Sequence, residues 1–369
     1  MEIRLNRSEL LTELVPMQGI VERRTTIPVL SHLLLKAEGD ALHIAATDLE
    51  VSLTSSCDGE VASEGAIAIQ AKKLLEIMRA AVGDEVTLRL EDEGALTILV
   101  GHSTFKIRGL PAEDFPTLPQ VDVDPLEIPF GTFRNMIGKI FFAISSEESR
   151  FQLSGALLEV KDDLLALVAT DGHRLALVES PVEGLREAES VLVPRKALQE
   201  LQRFEGEDLS FRRGEHHLSF TIGRRRLICR ILEGTFPDYE RVIATENDRH
   251  VVADRKLLMG VIQRVSLLTG DRSRAIRLEI EDGKLEFSAA NPDLGEARED
   301  VPCEYDNVDL SMGLNPDYLV QFLSASDTEK VRLELKDENS QCVCYPVDGV
   351  DKRYVCVIMP IRLDRKSVV

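Results

Sequence analysis

Apolar residues recur along the chain with helical and then alternating periods. Leu10, Leu14, Met17 and Val21 are spaced 4, 3 and 4 residues apart, the stripe of one amphipathic helix. The same stripe returns 123 residues later as Phe133, Ile137, Ile140 and Ile144, and 125 further on as Leu258, Ile262 and Val265, with Thr269 weakening the last place. A second stripe does likewise: Leu75 and Met78 recur as Leu198 and Leu201, then as Leu319 and Phe322. Between the helices run short alternating segments split by turn residues, such as His32 to Leu35, Leu42 to Ala45 and Val51 to Leu53. A pattern that repeats three times at one spacing predicts three copies of one unit.

In the first copy Glu2 to Leu5 is an opening strand and Asn6 to Val21 a helix, with Asn6 and Glu9 placed for a capping box. A three-strand meander follows. Ala66 to Ile69 then opens a second half, with a helix over Ala71 to Val82 and strands near Val86 to Leu90, Leu96 to Val100 and Thr104 to Arg108. The dipeptide Thr47-Asp48 returns as Thr170-Asp171, with Asn291-Pro292 at the third place. Phe115-Pro116, Phe236-Pro237 and Met359-Pro360 punctuate the copies as exits from the sheet. The predicted class is therefore α+β: three domains, at 1–121, 126–244 and 247–369, each two βαβββ units with both helices on one face of the sheet. Units that join by their sheet edges favour a curved array or a ring.

Charge changes this picture. The 369 residues carry a formal net charge of −20, which excludes a surface that coats nucleic acid electrostatically but leaves room for a local basic channel. Basic residues cluster at helix starts: Lys72 and Lys73 of the first copy recur 123 residues later as Arg195 and Lys196, and Arg255 and Lys256 open the first helix of the third copy. Cations there oppose the helix dipole, so their repetition points to an anion met at those places. Arg7, Arg134, Lys139 and Arg264 are expected to add charge on exposed sides of the first helices. The bland reading is an ordinary solvated polar face. Arg224-Arg225-Arg226 reads as part of a strand with a charged outer face.

Catalytic signatures are missing. There is no G-x-G-x-x-G, H-E-x-x-H or G-x-S-x-G, and the Gly-Lys at 138–139 lies in an amphipathic helix instead of a phosphate loop. Asp171 and His173 could form an acid/base pair, yet Asp171-Gly172 reads as a hairpin turn. The six cysteines form no C-x-x-C, which suits a reducing cytoplasm; Cys342 and Cys344 share one face of a strand and read as core. No apolar run approaches 18 residues and no charged-then-apolar leader is seen, so neither a membrane span nor a secretory signal is expected. No cofactor or metal is expected either.

Several segments carry a family resemblance: Leu110-Pro111-Ala112-Glu113-Asp114-Phe115-Pro116, Ala169-Thr170-Asp171-Gly172-His173-Arg174-Leu175-Ala176, Val193-Pro194-Arg195-Lys196, Phe236-Pro237-Asp238-Tyr239 and Met359-Pro360-Ile361-Arg362-Leu363, with Thr47-Asp48-Leu49-Glu50. On these the chain resembles the bacterial DNA polymerase III beta subunit (sliding clamp) family over nearly its whole length. The resemblance implies three tandem clamp domains, a head-to-tail homodimer with helices lining a ring and sheets outside, and double-stranded DNA held topologically without sequence preference. It implies no catalysis by this chain, no cofactor, and a cytoplasmic protein of DNA replication that tethers the replicative polymerase for processivity.

The family also docks the clamp loader and repair proteins through a motif of Gln followed by aliphatic and aromatic residues. Carried over, that groove is lined here by Leu153, Thr170, Gly172, His173, Arg174, Leu175, Pro237, Arg241, Val242, Val357, Met359, Pro360, Ile361, Arg362 and Leu363. DNA is expected beside Arg24, Lys72, Lys73, Arg195 and Lys196, and the dimer interface at Phe105, Ile107, Leu267 and Leu268. Two departures from the family pattern stand out: residues 364–369 extend past the usual end, and Gln152 replaces the second of two aromatics after Arg150. Competing readings are a repeat-built interaction adaptor without a DNA role, and an enzyme such as a nuclease using Asp171 and His173.

Overall fold

The structure, a computed structural model, describes all residues except 23–24, 92–93, 148, 162, 183–188, 244–245, 271–273, 306, 350–352 and 364–369. The first copy is β1 (Glu2–Asn6), α1 (Arg7–Ile20), β2 (His32–Glu38), β3 (Ala41–Thr47), β4 (Val51–Ser63), β5 (Gly65–Gln70), α2 (Ala71–Ala80), β6 (Glu85–Glu91), β7 (Ala95–Val100) and β8 (Ser103–Arg108). The second is β9 (Leu126–Pro129), α3 (Phe130–Ile140), β10 (Gly155–Lys161), β11 (Leu164–Thr170), β12 (Arg174–Pro181), β13 (Glu189–Pro194), α4 (Arg195–Leu201), β14 (Asp208–Arg213), β15 (His217–Ile222) and β16 (Arg225–Arg230). The third is β17 (Arg249–Asp254), α5 (Arg255–Val265), β18 (Ile276–Glu281), β19 (Lys284–Asn291), β20 (Gly295–Glu304), β21 (Leu310–Leu314), α6 (Pro316–Ala325), β22 (Lys330–Leu335), β23 (Cys342–Pro346) and β24 (Arg353–Ile358). Among the described residues each copy thus has the two helices and eight strands that the periodicity predicts.

Contacts group the chain into two compact units, Met1–Arg134 with Lys196–Ile231, and Asn135–Arg195 with Leu232–Val369. In the first unit β4 pairs antiparallel with β16, Val51 opposite Cys229 and Thr54 opposite Arg226, so β9 and β14–β16 of the second copy complete the sheet of the first. In the second unit β12 pairs with β24, Arg174 opposite Ile358 and Glu179 opposite Arg353, and β10–β13 complete the sheet of the third copy. Each sheet has 12 strands.

Local chemistry accounts for the helix boundaries. The Asn6 side chain accepts from the Ser8 and Glu9 amides at 2.8 and 3.2 Å and starts α1. Asp254 caps α5 through the Leu257 amide, and Asn315 caps α6 with Pro316 at the first helical position. The predicted stripes are buried: Leu10, Leu14, Met17, Leu75, Met78, Phe133, Ile137, Leu198, Leu201, Leu258, Ile262, Leu319 and Phe322 are shielded from solvent. Each such side chain contributes about 1.5–3 kcal/mol. Val21 departs from the expected stripe. It is the extended C-cap of α1, and Ile20 takes the core position.

The Thr-Asp dipeptide is a turn device. Thr47 Oγ1 accepts from the Leu49 amide and Asp48 Oδ1 from Glu50 and Val51; Thr170 and Asp171 repeat this with the Gly172, His173 and Arg174 amides. The third residue of the turn sits at positive φ in both copies, +78° at Leu49 and +88° at Gly172. Glycine adopts that conformation freely, whereas leucine is strained there by about 1–2 kcal/mol. Leu49→Gly is expected to raise stability by up to about 1 kcal/mol, the relief being partly offset by greater unfolded-state entropy. A urea midpoint below that of the unsubstituted chain would sink this account.

Two further expectations need correction. Phe115-Pro116 and Phe236-Pro237 lie seven and six residues beyond β8 and β16, but Met359-Pro360 follows β24 directly, so it is not the third copy of that punctuator. The run Arg224-Arg225-Arg226 does not lie wholly in a strand: Gly223 and Arg224 form the turn between β15 and β16, and Arg225 and Arg226 open β16. Arg224 pairs with Asp58, Arg225 with Glu13, and Arg226 donates to Ser219 Oγ and the Val121 carbonyl. Cys342 and Cys344 share a buried face as predicted, their sulfurs 3.7 Å apart.

Candidate functional site

The basic helix starts split into two groups. Arg7, at the start of α1, donates to the Met78 and Gly83 carbonyls at the end of α2. Arg255, at the start of α5, does the same to Leu323 and Thr328 at the end of α6. Arg195 donates to Ile144 beyond α3, and Lys196 to Ile20, the last residue of α1, at 3.0 Å. A cation that opposes its own helix dipole is thus stabilised by the unpaired carbonyls of a neighbouring helix end. This removes the need for an anion at Arg255 and Arg7. It also corrects the expected exposure of Lys139, which is 4% exposed, 3.4 Å from Asp327 and beneath the Tyr354 ring.

Lys196 also pairs with Asp48, while Arg195 stacks on Phe141. Burial, reinforced by the nearby Arg174 charge, pushes the Arg195 guanidinium below its ordinary range. Lys72 and Lys73 remain exposed, in weak pairs with Glu76 on their own helix, and Lys256 is exposed too. Arg134 donates to the Gln202 carbonyl from an exposed position, and Arg264 pairs with Glu299. Arg24 lies outside the described residues. One buried carboxylate joins this set: Glu200 on α4 packs against Gly19 of α1 and pairs with Arg203 at 2.8 Å, and burial raises its pKa above the ordinary value.

The two remote segments singled out near residues 170 and 360 meet in the second unit. Leu175 lies opposite Val357 in the β12–β24 ladder, and the Met359 amide donates to the His173 carbonyl at 2.9 Å. Leu175 and Val357 share one apolar cluster with Val355, Val168 and Ile243, against which Val242, Phe236 and Tyr239 pack. Leu153 is buried on a 3-10 turn at Phe151–Leu153. His173, Pro237, Arg241, Met359 and Arg362 are exposed around these, Arg241 paired with Asp238 at 2.8 Å. The Ile361 amide donates to the Gly313 carbonyl and Leu363 lies against Gly313, whose missing side chain makes room for them. The result is a half-apolar surface with an exposed methionine and a few charged groups, suited to an apolar peptide.

Arg174 is enclosed. It is 9% exposed; its Nε donates to Asp171 Oδ2 at 3.1 Å, and its other nitrogens reach Gln321 Oε1 and the Phe142 carbonyl. Its guanidinium carbon lies 4.2 Å from the Tyr318 ring centroid and 5.2 Å from that of Phe142. Asp171 therefore spends one oxygen on two backbone amides and the other on Arg174, the role of a turn-builder and not of a proton acceptor for His173. Tyr318 and Gln321 escaped the sequence reading. Their three-residue spacing puts them on one helix face, but only tertiary packing brings that face to Arg174. Among the described residues no group of three or more His, Cys, Asp or Glu could hold a metal ion, and no helix is long and apolar enough to cross a membrane.

Phe105 and Ile107 alternate, half-buried, on β8, the edge strand of the first sheet. In the second sheet β20 pairs with β19 along its length, but on its other side only Cys303 and Glu304 are bonded, to β17. Leu267, 75% exposed, and Leu268 lie on the turn Ser266–Leu268 that packs against β19 and β20.

Profiles of known families cover nearly the whole chain. Those of the DNA polymerase III beta subunit N-terminal, central and C-terminal domains match residues 1–119, 127–238 and 240–362. A beta sliding clamp of Pseudomonas aeruginosa is 38% identical across 98% of this chain and all of its own, and that of Escherichia coli is 32% identical with the same coverage. The crystal structure of the Pseudomonas aeruginosa DNA polymerase III subunit beta superposes with a TM-score of 0.93 over 98% of this chain and 100% of its own, at 37% identity. A griselimycin-bound sliding clamp from the same organism superposes equally well.

Proposed function

Since the chain belongs to the DNA polymerase III beta subunit family and functions as a DNA sliding clamp in replication, we propose that two copies close head to tail into a ring around duplex DNA. One observation carries this reading. The fourth strand of one copy pairs with the eighth strand of the next at β4–β16 and again at β12–β24. Extending the rule pairs β20, the fourth strand of the last copy, with β8, the eighth strand of the first. β8 ends its sheet, and β20 is bonded to β17 only through Cys303 and Glu304, so both have backbone left to pair and the third junction belongs between chains. Charge favours it: β8 carries Lys106 and Arg108, and β20 carries Glu296, Glu299, Asp300 and Glu304 against one cation, Arg298. Phe105, Ile107, Leu267 and Leu268 form the apolar part of that junction.

The three tandem domains, at 1–121, 126–244 and 247–369, place their helices toward the duplex. Lys72, Lys73 and Arg24 supply weak, interchangeable phosphate contacts, with Arg195 and Lys196 adding charge from carbonyl-bound positions. The net charge of −20 suits tethering by topology instead of affinity. The surface around Leu175, Val242, Val357 and Met359 docks the polymerase, clamp loader and repair proteins by their Gln-led motif. His173, Arg241 and Arg362 sit at its exposed margin, and Leu153, Thr170, Gly172, Arg174, Pro237, Pro360, Ile361 and Leu363 complete it. The chain performs no catalysis of its own, uses no cofactor and works in the cytoplasm.

The test is topological. A clamp loader places the protein on a nicked circular plasmid, the complex is isolated, and the circle is cut once. The protein is expected to leave the linear DNA within minutes while staying on the uncut circle. Retention on the linear form overturns the ring.

A further inference from the structure

We infer that Gln321 of α6 is a positioning residue for the peptide groove, acting through Arg174, so that a side chain the docking motif does not name helps set the groove's affinity. This rests on the groove reading above and adds residues that the motif does not contain. The turn Asp171–His173 carries Gly172 at positive φ and presents His173, whose carbonyl receives the Met359 amide. That turn is shaped from one side by Asp171 Oδ1 on two amides and by Thr170 Oγ1 on the Gly172 amide. From the other side Arg174 holds Asp171 Oδ2, and Thr170 Oγ1 donates to the Arg174 carbonyl at 2.6 Å.

Arg174 in turn is oriented by three groups from outside its strand. Gln321 Oε1 and the Phe142 carbonyl each accept from it, and the Tyr318 ring lies 4.2 Å from its guanidinium carbon. A planar guanidinium whose three nitrogens have separate, fixed acceptors has one orientation available, and lysine cannot reproduce that fork. Remove Gln321 Oε1 and Arg174 keeps its charge but loses one of its three fixed points. The Asp171 carboxylate then holds the His173 turn less tightly, and a peptide must order that turn on binding. Gln321 itself is exposed on α6 while the adjacent Phe322 and Leu323 are buried, so its removal leaves the helix packing intact.

The experiment uses the full chain and a fluorescent Gln-Leu-Ser-Leu-Phe peptide, titrated by anisotropy. Gln321→Ala is expected to weaken binding about five- to tenfold, the scale of one ordinary net hydrogen bond. Gln321→Glu, which keeps an acceptor oxygen, is expected to stay within about twofold of the unsubstituted chain. Arg174→Lys is expected to bind less well than Gln321→Ala, and adding Gln321→Ala to it should cost nothing more, because the two act through one contact. Amide exchange along β12 and β24 should not change in Gln321→Ala, which separates a positioning role from unfolding. Equal binding by Gln321→Ala, or additive losses in the double variant, overturns the relay while the groove stands. If the unsubstituted chain fails to take the peptide, the groove reading fails and the relay falls with it.

Discussion

Ile107→Asp is expected to turn the proposed dimer into monomers, with an association constant lower by about a thousandfold or more. Ile107 lies half-buried on β8, two residues from Phe105 on the same strand face. Burying an isoleucine at an interface contributes about 1.5–3 kcal/mol, and an unpaired carboxylate in its place adds a desolvation cost of several kcal/mol. In the proposed junction the new charge also faces β20, where Glu296, Glu299 and Asp300 stand. A total near 4 kcal/mol corresponds to about a thousandfold at one junction, and a closed two-chain ring has two such junctions. Because β8 bonds only to β7 in its own sheet, the substitution leaves the rest of the fold in place, and the circular dichroism spectrum should not change. Lys106→Ala, which alters only a rim charge, should shift the salt dependence of association far more than its strength. Sedimentation of Ile107→Asp at nanomolar concentration decides the matter. A persisting dimer would place the interface elsewhere.

The repeat made most of the secondary structure legible. Helical stripes at one spacing survive evolution of side-chain identity because they answer to a period, and burial of Phe133, Leu258 and Leu319 shows the period at work. Boundaries were less secure for a local reason. At the end of α1 a stripe can step by three or four residues, and cap geometry chose Ile20 over Val21 for the core. The splitting of the second copy between two sheets was not legible, since β16 and β24 read alike in sequence whichever sheet receives them.

The candidate site divides the same way. Leu175 and Val357 were legible as apolar positions in alternating strands, and the motif brought them together on paper before the ladder did. The basic residues misled because spacing reveals where a cation sits and not what satisfies it. Arg195, Lys196 and Arg255 spend their charge on carbonyls at or beyond helix ends 51 to 176 residues away in sequence. Only contact with a folded neighbour distinguishes them from Lys72 and Lys73, which stay in solvent. Arg174 is the sharpest case: the motif marks it as a groove residue, and the structure encloses it between Tyr318, Gln321 and Phe142, which suits the supporting role proposed for it.

Glu13→Ala is expected to speed amide exchange in α1 by about a hundredfold, an opening free energy lower by about 3 kcal/mol. Glu13 sits on α1 with a side chain 15% exposed, facing Arg225 of β16 at 16%. Both carboxylate oxygens are engaged by Arg225, at 2.8 and 2.9 Å, and Ser55 of β4 donates to one of them at 2.7 Å. Removing the carboxylate leaves a half-buried guanidinium over the Phe204 ring that keeps, among the described residues, the Thr12 carbonyl as its acceptor. An uncompensated buried charge is the costly outcome, whereas loss of the whole pair is not, because desolvation of both ions roughly offsets their attraction. The double variant Glu13→Leu with Arg225→Met should therefore recover most of the protection lost in Glu13→Ala. The pair joins the first helix of the first copy to the last strand of the second, the strand that completes the first sheet. If Glu13→Ala exchanges like the unsubstituted chain, the ion pair is ornamental and the β4–β16 ladder alone holds that junction.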